Sequence, residues 1–518
     1  MYLKANSPHA ASAGKSVIGF NLINGKEVEG DLSLIQAKSA VDSRDLVGMF
    51  PDSGEKDVAR AAKAAADAFP DWSAAPVAAR AALLLRAADL LATHRDKLAR
   101  IVTREIGMTP LEAQAELQEA LNALAFYSGA PEPAPAGQAG AFRRPLGVCG
   151  VLATGISPLA APLRKILPAI LCGNTVVWKP SDNAPTSAYL LLRILMEAGL
   201  PSGVVNTVNG RGRAGCGKHF LAGIEKGHFQ SFSFVGSLAL GRTVGEVCGR
   251  NLLQPDLDLT GKGSLVVMPD ADLDQAAADA LRAAFGQSGQ RLTGLANLIV
   301  HEACVAGFRE RLLAGLAGLK VGNPMTHPEV AFGPMLNARV STGFREHWES
   351  GRAEGATLLT GGEAWTEANR TAQLQGDIAH GVYLQPCVWE GVTPAMALFS
   401  NQVLGPTVNL CSAKDADEAL AWADLAPCRL ASSLYTRDRG LIERFKRESR
   451  ADVIGLNEIG HEAQARLRFS GFGTRPGGRS TLDGFTRWAA MSEPPAPAAG
   501  ATDGWAAGSP LQTDWASL

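Results

Sequence analysis

Short apolar strands alternate with helical segments from Leu146 onward, and this alternation restricts the possible folds of the chain more than any other sequence feature. The strand-like segments GVCGVLA and GNTVVWKP are each followed by a helical segment, PLRKILPAIL and TSAYLLLRILMEAGL respectively. A second series begins at SLVVMPD and continues through NLIVHE to VIGLNE. Such alternation predicts parallel sheets that helices cover on both faces. Residues 57–130 carry the apolar spacing of amphipathic helices. The expected fold class is therefore α/β with doubly wound sheets.

Composition and charge exclude several classes of protein. A chain of 518 residues allows about two to four domains at roughly 150 residues each. The 49 basic and 51 acidic side chains give a net charge of −2, which argues against a strongly basic nucleic-acid binder and against a disordered acidic chain. The N-terminus lacks the apolar run of a signal peptide, and glycines and prolines interrupt the uncharged stretch Leu146–Leu163. We expect a cytoplasmic protein that binds neither nucleic acid nor membrane.

The cysteines indicate buried thiols. Eight are present, and none lies within a dozen residues of another. A CxxC metal or redox motif is therefore absent from the sequence, and no metal site is predicted. Single cysteines scattered over a long chain are typical of a protein in a reducing compartment.

Seven motifs follow one another along the chain: GNTVVWKPSDNAPTSA, FVGSLALG, LDLTGKGS, FGQSGQRLTG, KVGNPMTHPEVAFGPMLN, NQVLGPTV and SGFGTRPGG. Together they resemble the aldehyde dehydrogenase superfamily, and the resemblance extends from about Asn21 to Met491. It implies an aldehyde-dehydrogenase-like fold with two doubly wound α/β domains, a Rossmann-type cofactor domain and a catalytic domain. It also implies a small β extension through which subunits assemble.

On this resemblance the chain divides into three domains and a tail. The expected parts are an NAD(P)-binding domain (16–131 and 146–260), a catalytic-type α/β domain (261–466), an oligomerisation extension (132–145 and 467–490) and a flexible Ala-, Pro- and Gly-rich tail (491–518). Within the extension, Ala141–Arg144 is expected to pair with Gly484–Ala490. The tail carries Trp505 and Trp515, which are either anchors for a groove or part of an inert segment.

The resemblance also implies a site for a nicotinamide cofactor. Lys179 and Asp182 match the family positions that hold the adenosine ribose, although a strand-end lysine is also commonly exposed to solvent. A carboxylate accepts bonds from both ribose hydroxyls and repels a 2′-phosphate, so NAD is favoured over NADP. Gly236 and Ser237 match the pyrophosphate positions, and such residues either present amides to a phosphate or form a tight turn. Gln402 replaces the family's glutamate at the nicotinamide ribose, which weakens the expected site.

The catalytic positions implied by the resemblance depart from the family pattern. The family uses a cysteine thiolate to attack the aldehyde carbonyl, and Leu292 stands at that position in FGQSGQRL. Ile156 replaces the asparagine that stabilises the oxyanion, and Asp258 replaces the glutamate that acts as general base. Loss of a single oxyanion donor costs about 10²–10³ in rate. Lys165 and Asn457 match family positions, but a helix-surface lysine and a strand-end turn would explain them equally well.

Two hypotheses for the function follow from these departures. In the first, the chain is a non-catalytic homologue that binds a ligand or a partner; it forms a homo-oligomer or joins a catalytically intact relative. In the second, it is an NAD(P)-dependent oxidoreductase that acts on an aldehyde or alcohol without a thiol. Asp258 would then serve as base and Arg291 would orient an acidic group, although a lone loop arginine is more often structural.

Overall fold

The computed structural model describes residues 15–129, 141–212, 215–426, 430–459 and 478–490. Its helices, in chain order, are α1 (Glu55–Ala74), α2 (Val77–Thr93), α3 (Arg95–Ile106), α4 (Pro110–Ser128), α5 (Ala160–Leu171), α6 (Pro185–Glu197), α7 (Cys216–Glu225), α8 (Leu238–Arg250), α9 (Leu273–Phe285), α10 (Glu302–Gly318), α11 (Ala338–Ala353), α12 (Ala397–Ser400), α13 (Ala416–Ala423) and α14 (Arg439–Glu448). Short 3₁₀ turns occupy Gly286–Gly289, Glu367–Asn369 and Gly478–Phe485.

The strands belong to two large sheets and three small ones. In chain order they are β1 (Val17–Ile18), β2 (Asn21–Ile23), β3 (Lys26–Val28), β4 (Leu34–Lys38), β5 (Leu46–Pro51), β6 (Ala141–Pro145), β7 (Val148–Leu152), β8 (Thr175–Lys179), β9 (Val205–Thr207), β10 (Ser231–Gly236), β11 (Pro255–Leu259), β12 (Gly263–Val267), β13 (Leu295–His301), β14 (Val321–Gly322), β15 (Thr357–Thr360), β16 (Leu374–Gln375), β17 (Cys387–Glu390), β18 (Thr407–Ala413), β19 (Ala431–Tyr435), β20 (Val453–Leu456) and β21 (Thr486–Ala490).

The first large sheet has the strand order β11-β10-β7-β8-β9-β2-β3. It is parallel from β11 to β9, and the β2–β3 hairpin adds antiparallel strands at the far edge. Alternate residues of β8 enter different cores: Val176 and Trp178 pack with α2, α4, α5 and α6, while Val177 packs with α1, α7 and α8. Side chains alternate across a strand, so helices cover both faces of this sheet.

The second large sheet has the order β15-β17-β18-β13-β12-β19-β20 and is parallel except for the edge strand β15. Leu265 and Val267 of β12 pack with α9 and α10, whereas Val266 packs with α11, α13 and α14. The first sheet ends at Leu259 and the second begins at Gly263. The prediction of an α/β fold with two doubly wound sheets is confirmed.

A separate ribbon joins β6 to β21. The two strands are antiparallel, with Ala141 opposite Ala490 and Pro145 opposite Thr486. The predicted pairing is therefore confirmed over Thr486–Ala490, whereas Gly484 belongs to the preceding 3₁₀ turn. Its role in assembly stays a prediction, and the tail 491–518 lies outside the described residues.

The described cysteines are all free thiols. Six of these seven are buried and Cys172 is half-buried, while Cys428 lies outside the described ranges. Among the residues that the structure describes, no helix combines the length and apolar character needed to cross a membrane.

Candidate functional site

The position implied for the nucleophile lies in an apolar cluster. Leu292 is 8% exposed and packs with Ile156, Ala161 and Val235. Leu336 and Leu404 flank these residues, and we call this group of six residues the apolar plug. Ile156 and Leu292 are separated by more than a hundred residues along the chain, and packing brings these two positions, implied for the oxyanion donor and the nucleophile, together. None of the six side chains carries a hydrogen-bond donor or a nucleophilic atom.

The backbone around Leu292 is tied to two other predicted positions. The Gly261 N–H donates to the Leu292 carbonyl at 3.0 Å, and the Gln402 amide Nε2 donates to the Gly261 carbonyl at 3.1 Å. The Gln287 side chain donates from Nε2 to the Ile156 carbonyl at 2.5 Å. Gln287 has a φ of 53°, a left-handed conformation that is uncommon for a residue other than glycine. The segment from Gln287 to Leu292 is thus bonded to the Ile156 carbonyl at one end and to the Gly261 amide at the other.

Asp258 and Lys165 form a buried ion pair. The Lys165 Nζ lies 2.8 Å from Asp258 Oδ1 and 3.0 Å from Asp256 Oδ2. Burial raises the pKa of the Asp258 carboxyl, and the Lys165 charge opposes that rise. Burial alone would lower the pKa of Lys165, but the two carboxylates outweigh it and raise that pKa. The helix-surface interpretation of Lys165 is wrong, because the side chain is only 2% exposed.

Sequence reasoning missed Asp256, although a signal was present. Asp256 and Asp258 are two positions apart on β11, so their side chains leave the strand on one face. The Ser233 hydroxyl donates to Asp256 at 3.2 Å, so Lys165, Asp256, Asp258 and Ser233 form one polar cluster. Asp258 is engaged by an ammonium at the position where the family has its general base.

A cleft of about 1190 Å³ opens beside the apolar plug. It runs along α4 and α9, and Ile156 and Leu292 are among the residues that line it. The described lining residues do not include Asp258 or Lys165. Arg291 reaches the cleft, with its guanidinium 3.9 Å from Glu112. A ligand in this cleft would meet aliphatic side chains at both substituted positions.

Lys179 lies at the end of β8 and is 1% exposed, so the solvent-exposed interpretation of this lysine is wrong. Among the described residues no side chain or carbonyl forms a hydrogen bond or ion pair with its ammonium. The thiol of Cys216 is close enough for the Lys179 charge to act on it. Asp182 is half-buried and accepts from the Gly212 N–H at 3.2 Å. An ammonium without a protein partner fits a site for a polar ligand such as a ribose.

The helices α5, α6 and α8, which follow strands of the first sheet, differ in whether a carboxylate accepts hydrogen bonds from their N-terminal amides. Glu116 accepts from the Leu159 and Ala160 amides at the start of α5, and Glu105 accepts from the Thr186 and Ser187 amides at the start of α6. Burial raises the pKa of both glutamates. These contacts, which sequence reasoning missed, occupy two helix ends that attract anions.

The start of α8 has no such carboxylate among the described residues. Ser237 caps the helix through a long bond from the Leu240 N–H, at 3.4 Å, and is itself exposed. A Cβ on Gly236 would lie 2.5 Å from the Phe234 ring, so the glycine is needed for packing as well. Of these three helix ends, the one at Ser237 is open to a phosphate.

Comparison with known proteins agrees with this architecture. Residues 31–491 match the model of the aldehyde dehydrogenase family, and the chain belongs to that family. It is 31% identical over 461 residues to malonate-semialdehyde dehydrogenase 1 of Geobacillus thermodenitrificans, covering 87% of this chain and 92% of the relative. It is 30% identical over 482 residues to the alpha-ketoglutaric semialdehyde dehydrogenase of Bacillus subtilis, covering 90% of this chain and 96% of the relative.

Two solved structures show the same fold. The NAD-dependent aldehyde dehydrogenase from Sinorhizobium meliloti superimposes with a TM-score of 0.85 at 26% identity, covering 96% of this chain and 98% of its own. The 1-pyrroline-5-carboxylate dehydrogenase from Thermus with bound NAD gives a TM-score of 0.84 at 25% identity, covering 92% of this chain and 93% of its own.

Proposed function

We propose that this chain is a member of the aldehyde dehydrogenase family that does not oxidise aldehydes by the thiol route, and that it acts as a non-catalytic binding or partner subunit. The apolar plug is the observation that carries the proposal. Leu292 offers no lone pair to a carbonyl carbon, and Ile156 offers no hydrogen to an oxyanion. The names of the relatives favour semialdehyde oxidation by that route, and this alternative is the one to exclude by experiment.

The ion pair of Asp258 adds to the argument. A general base must reach the proton that it removes and must be free to accept it. The Asp258 carboxylate is 5% exposed and is bound to Lys165 at 2.8 Å. Both features oppose proton transfer from a water in the cleft.

We further propose that NAD binding is retained in weakened form. Lys179 and Asp182 would hold the adenosine ribose, and the open helix end at Gly236 and Ser237 would hold the pyrophosphate. The unpartnered ammonium of Lys179 supports this assignment. At the nicotinamide ribose, the neutral amide of Gln402 replaces a carboxylate and already donates to Gly261, so we expect lower affinity than in a catalytic family member.

The runner-up function is an NAD(P)-dependent oxidoreductase with thiol-independent chemistry on an aldehyde or alcohol. Arg291, which reaches the cleft, favours an acidic substrate in that case. The apolar plug argues against it, because Leu292, which lines the cleft, packs with Val235, two residues before Ser237, and with Leu404, two residues after Gln402. Hydride transfer across the plug would require those side chains to separate.

We also propose that the protein assembles through the β6–β21 ribbon, as a homo-oligomer or with a catalytically intact relative. A ribbon of two strands is marginal by itself in water and leaves outer edges for a further strand. Light scattering of the purified chain, alone and mixed with an active family member, tests this part.

Two measurements test the central proposal together. Calorimetric titration with NAD⁺ and NADH should give saturable heat, while a panel of aldehydes and semialdehydes should give no NADH with the same preparation. Turnover of any aldehyde to its acid would refute the non-catalytic assignment. Binding together with oxidation of an alcohol would favour the runner-up.

A further inference from the structure

Lys262 holds a buried positive charge behind the loop that carries Leu292. Its ammonium donates to the Leu398 carbonyl at 2.5 Å and to the Asn401 carbonyl at 2.7 Å. An ammonium has three hydrogens, so one remains for another acceptor. The side chain is only 4% exposed. A buried charge is costly unless an opposite charge or several dipoles compensate it.

The pocket around Lys262 contains no compensating carboxylate. It is lined by Gly289, Arg291 and residues 402–405, together with His347, Thr407 and Asn409. The described lining residues include neither an aspartate nor a glutamate. Because nothing negative faces the ammonium, burial lowers the pKa of Lys262 to about 7.

Three residues that line the pocket each have another polar atom buried without a partner. The His347 Nε2, the Thr407 Oγ1 and the Asn409 Oδ1 have no hydrogen-bond partner among the described residues. His347 is 8% exposed and Asn409 is 2% exposed. Buried polar atoms of this kind are usually satisfied by a water or an ion. The enclosed space is sufficient for about one or two water-sized particles.

We propose that this pocket is a binding site for a small monovalent anion of halide size, held by the Lys262 ammonium and the His347 Nε2–H. The Lys262 ammonium and the absence of a carboxylate among the described lining residues determine the sign of the ligand charge. Asn409 Oδ1 can only accept, so it takes a hydrogen from a water beside the anion. The limited space excludes organic anions. Lys262, His347 and Asn409 do not stand at positions implied for the chemistry, although Gln402 and Arg291, which have proposed roles above, also line the pocket. The test therefore measures anion binding and not catalysis.

Bromide titration of the full-length protein at constant ionic strength, with sodium gluconate as the balancing salt, tests the proposal. We expect the Tm to rise saturably with bromide and to stay constant with gluconate. Since the anion binds the charged ammonium, bromide should bind more tightly at about pH 6 than at about pH 9. The other ionisable residues around Lys262 are His347, Cys411 and Arg291. Anomalous scattering from bromide-soaked crystals should give a peak beside Lys262.

Two variants and a control locate the site. Lys262→Met should abolish the bromide response, and His347→Leu should weaken bromide binding by about tenfold through loss of one donor. Lys320→Met is the control, because Lys320 also donates to a carbonyl, that of Ala372, but is exposed. An equal response to bromide and gluconate, or an unchanged response in His347→Leu, would overturn the proposal. If Lys262→Met does not fold, the His347 variant and the anomalous peak decide between bromide and water.

Discussion

Restoring the nucleophile should not restore the activity. In Leu292→Cys the thiol would lie where Leu292 now packs, among the aliphatic side chains of the plug. Apolar surroundings raise the pKa of a thiol and reduce the thiolate fraction. Ile156 supplies no oxyanion donor, which costs about 10²–10³ in rate, and a base displaced by about 1 Å costs on the order of 10². If the loss of the oxyanion donor and the displacement of the base multiply, we expect turnover to be roughly 10⁴- to 10⁵-fold slower than that of an active family member.

The assay follows NADH formation by the variant with a panel of semialdehydes, beside an active relative. Leu292→Ala is the matched control, since it opens similar space in the plug without adding a thiol. The combined variant Leu292→Cys, Ile156→Asn and Asp258→Glu should exceed the single variant, because it returns all three groups. Robust turnover by Leu292→Cys alone, within about a hundredfold of the active relative, would refute the reasoning that oxyanion stabilisation and base were lost together.

Three further predictions concern buried charges. Lys165→Met leaves two buried carboxylates without a cation and should lower the free energy of unfolding by about 3–5 kcal/mol near neutral pH. Urea unfolding should show a smaller decrease in this free energy at low pH, because the carboxylates then take up protons. Burial and the Lys262 charge lower the pKa of His347 from 6.5 to about 3. Between these two pH values the unfolded chain binds more protons at this residue than the folded chain does. The free energy of unfolding should therefore fall as the pH drops below about 6.5, by up to ~1.4 kcal/mol per pH unit. His347→Leu should flatten that slope in acid denaturation curves. Lys179→Met should weaken NAD binding by at least about tenfold in calorimetry, whereas Lys218→Met, on the exposed side of α7, should leave it unchanged.

The architecture of this chain could be predicted from its sequence because the patterns are local. Strand and helix segments alternate visibly, and the apolar runs at β7 and β8 are buried along their whole length. The pairing of β6 with β21, which are more than three hundred residues apart, followed only from the family resemblance. Local patterns do not indicate which distant strands meet, whereas an ordered set of motifs does.

The site was predicted in part. The positions of Leu292, Ile156 and Gln402 were singled out by motif. In the structure Leu292 and Gln402 both bond to Gly261, and Ile156 packs with Leu292. The burial of Lys165 and Lys179 was missed, because lysine is almost always exposed unless it is paired or bound. The environments of Lys262 and His347 were also missed, since they depend on contacts between segments far apart in the sequence.

The apolar plug has a thermodynamic consequence for ligand binding. In an enzyme that joins two ligands at one reacting centre, each ligand changes the affinity for the other, and this coupling is reciprocal. Here two of the aliphatic side chains of the plug, Ile156 and Leu292, line the cleft, and Val235 of the same plug lies two residues before Ser237 in the chain. Binding free energies on the two sides should therefore simply add, so that the Kd for NAD is the same whether the cleft is filled or empty. The chain would then report on two small molecules independently of each other.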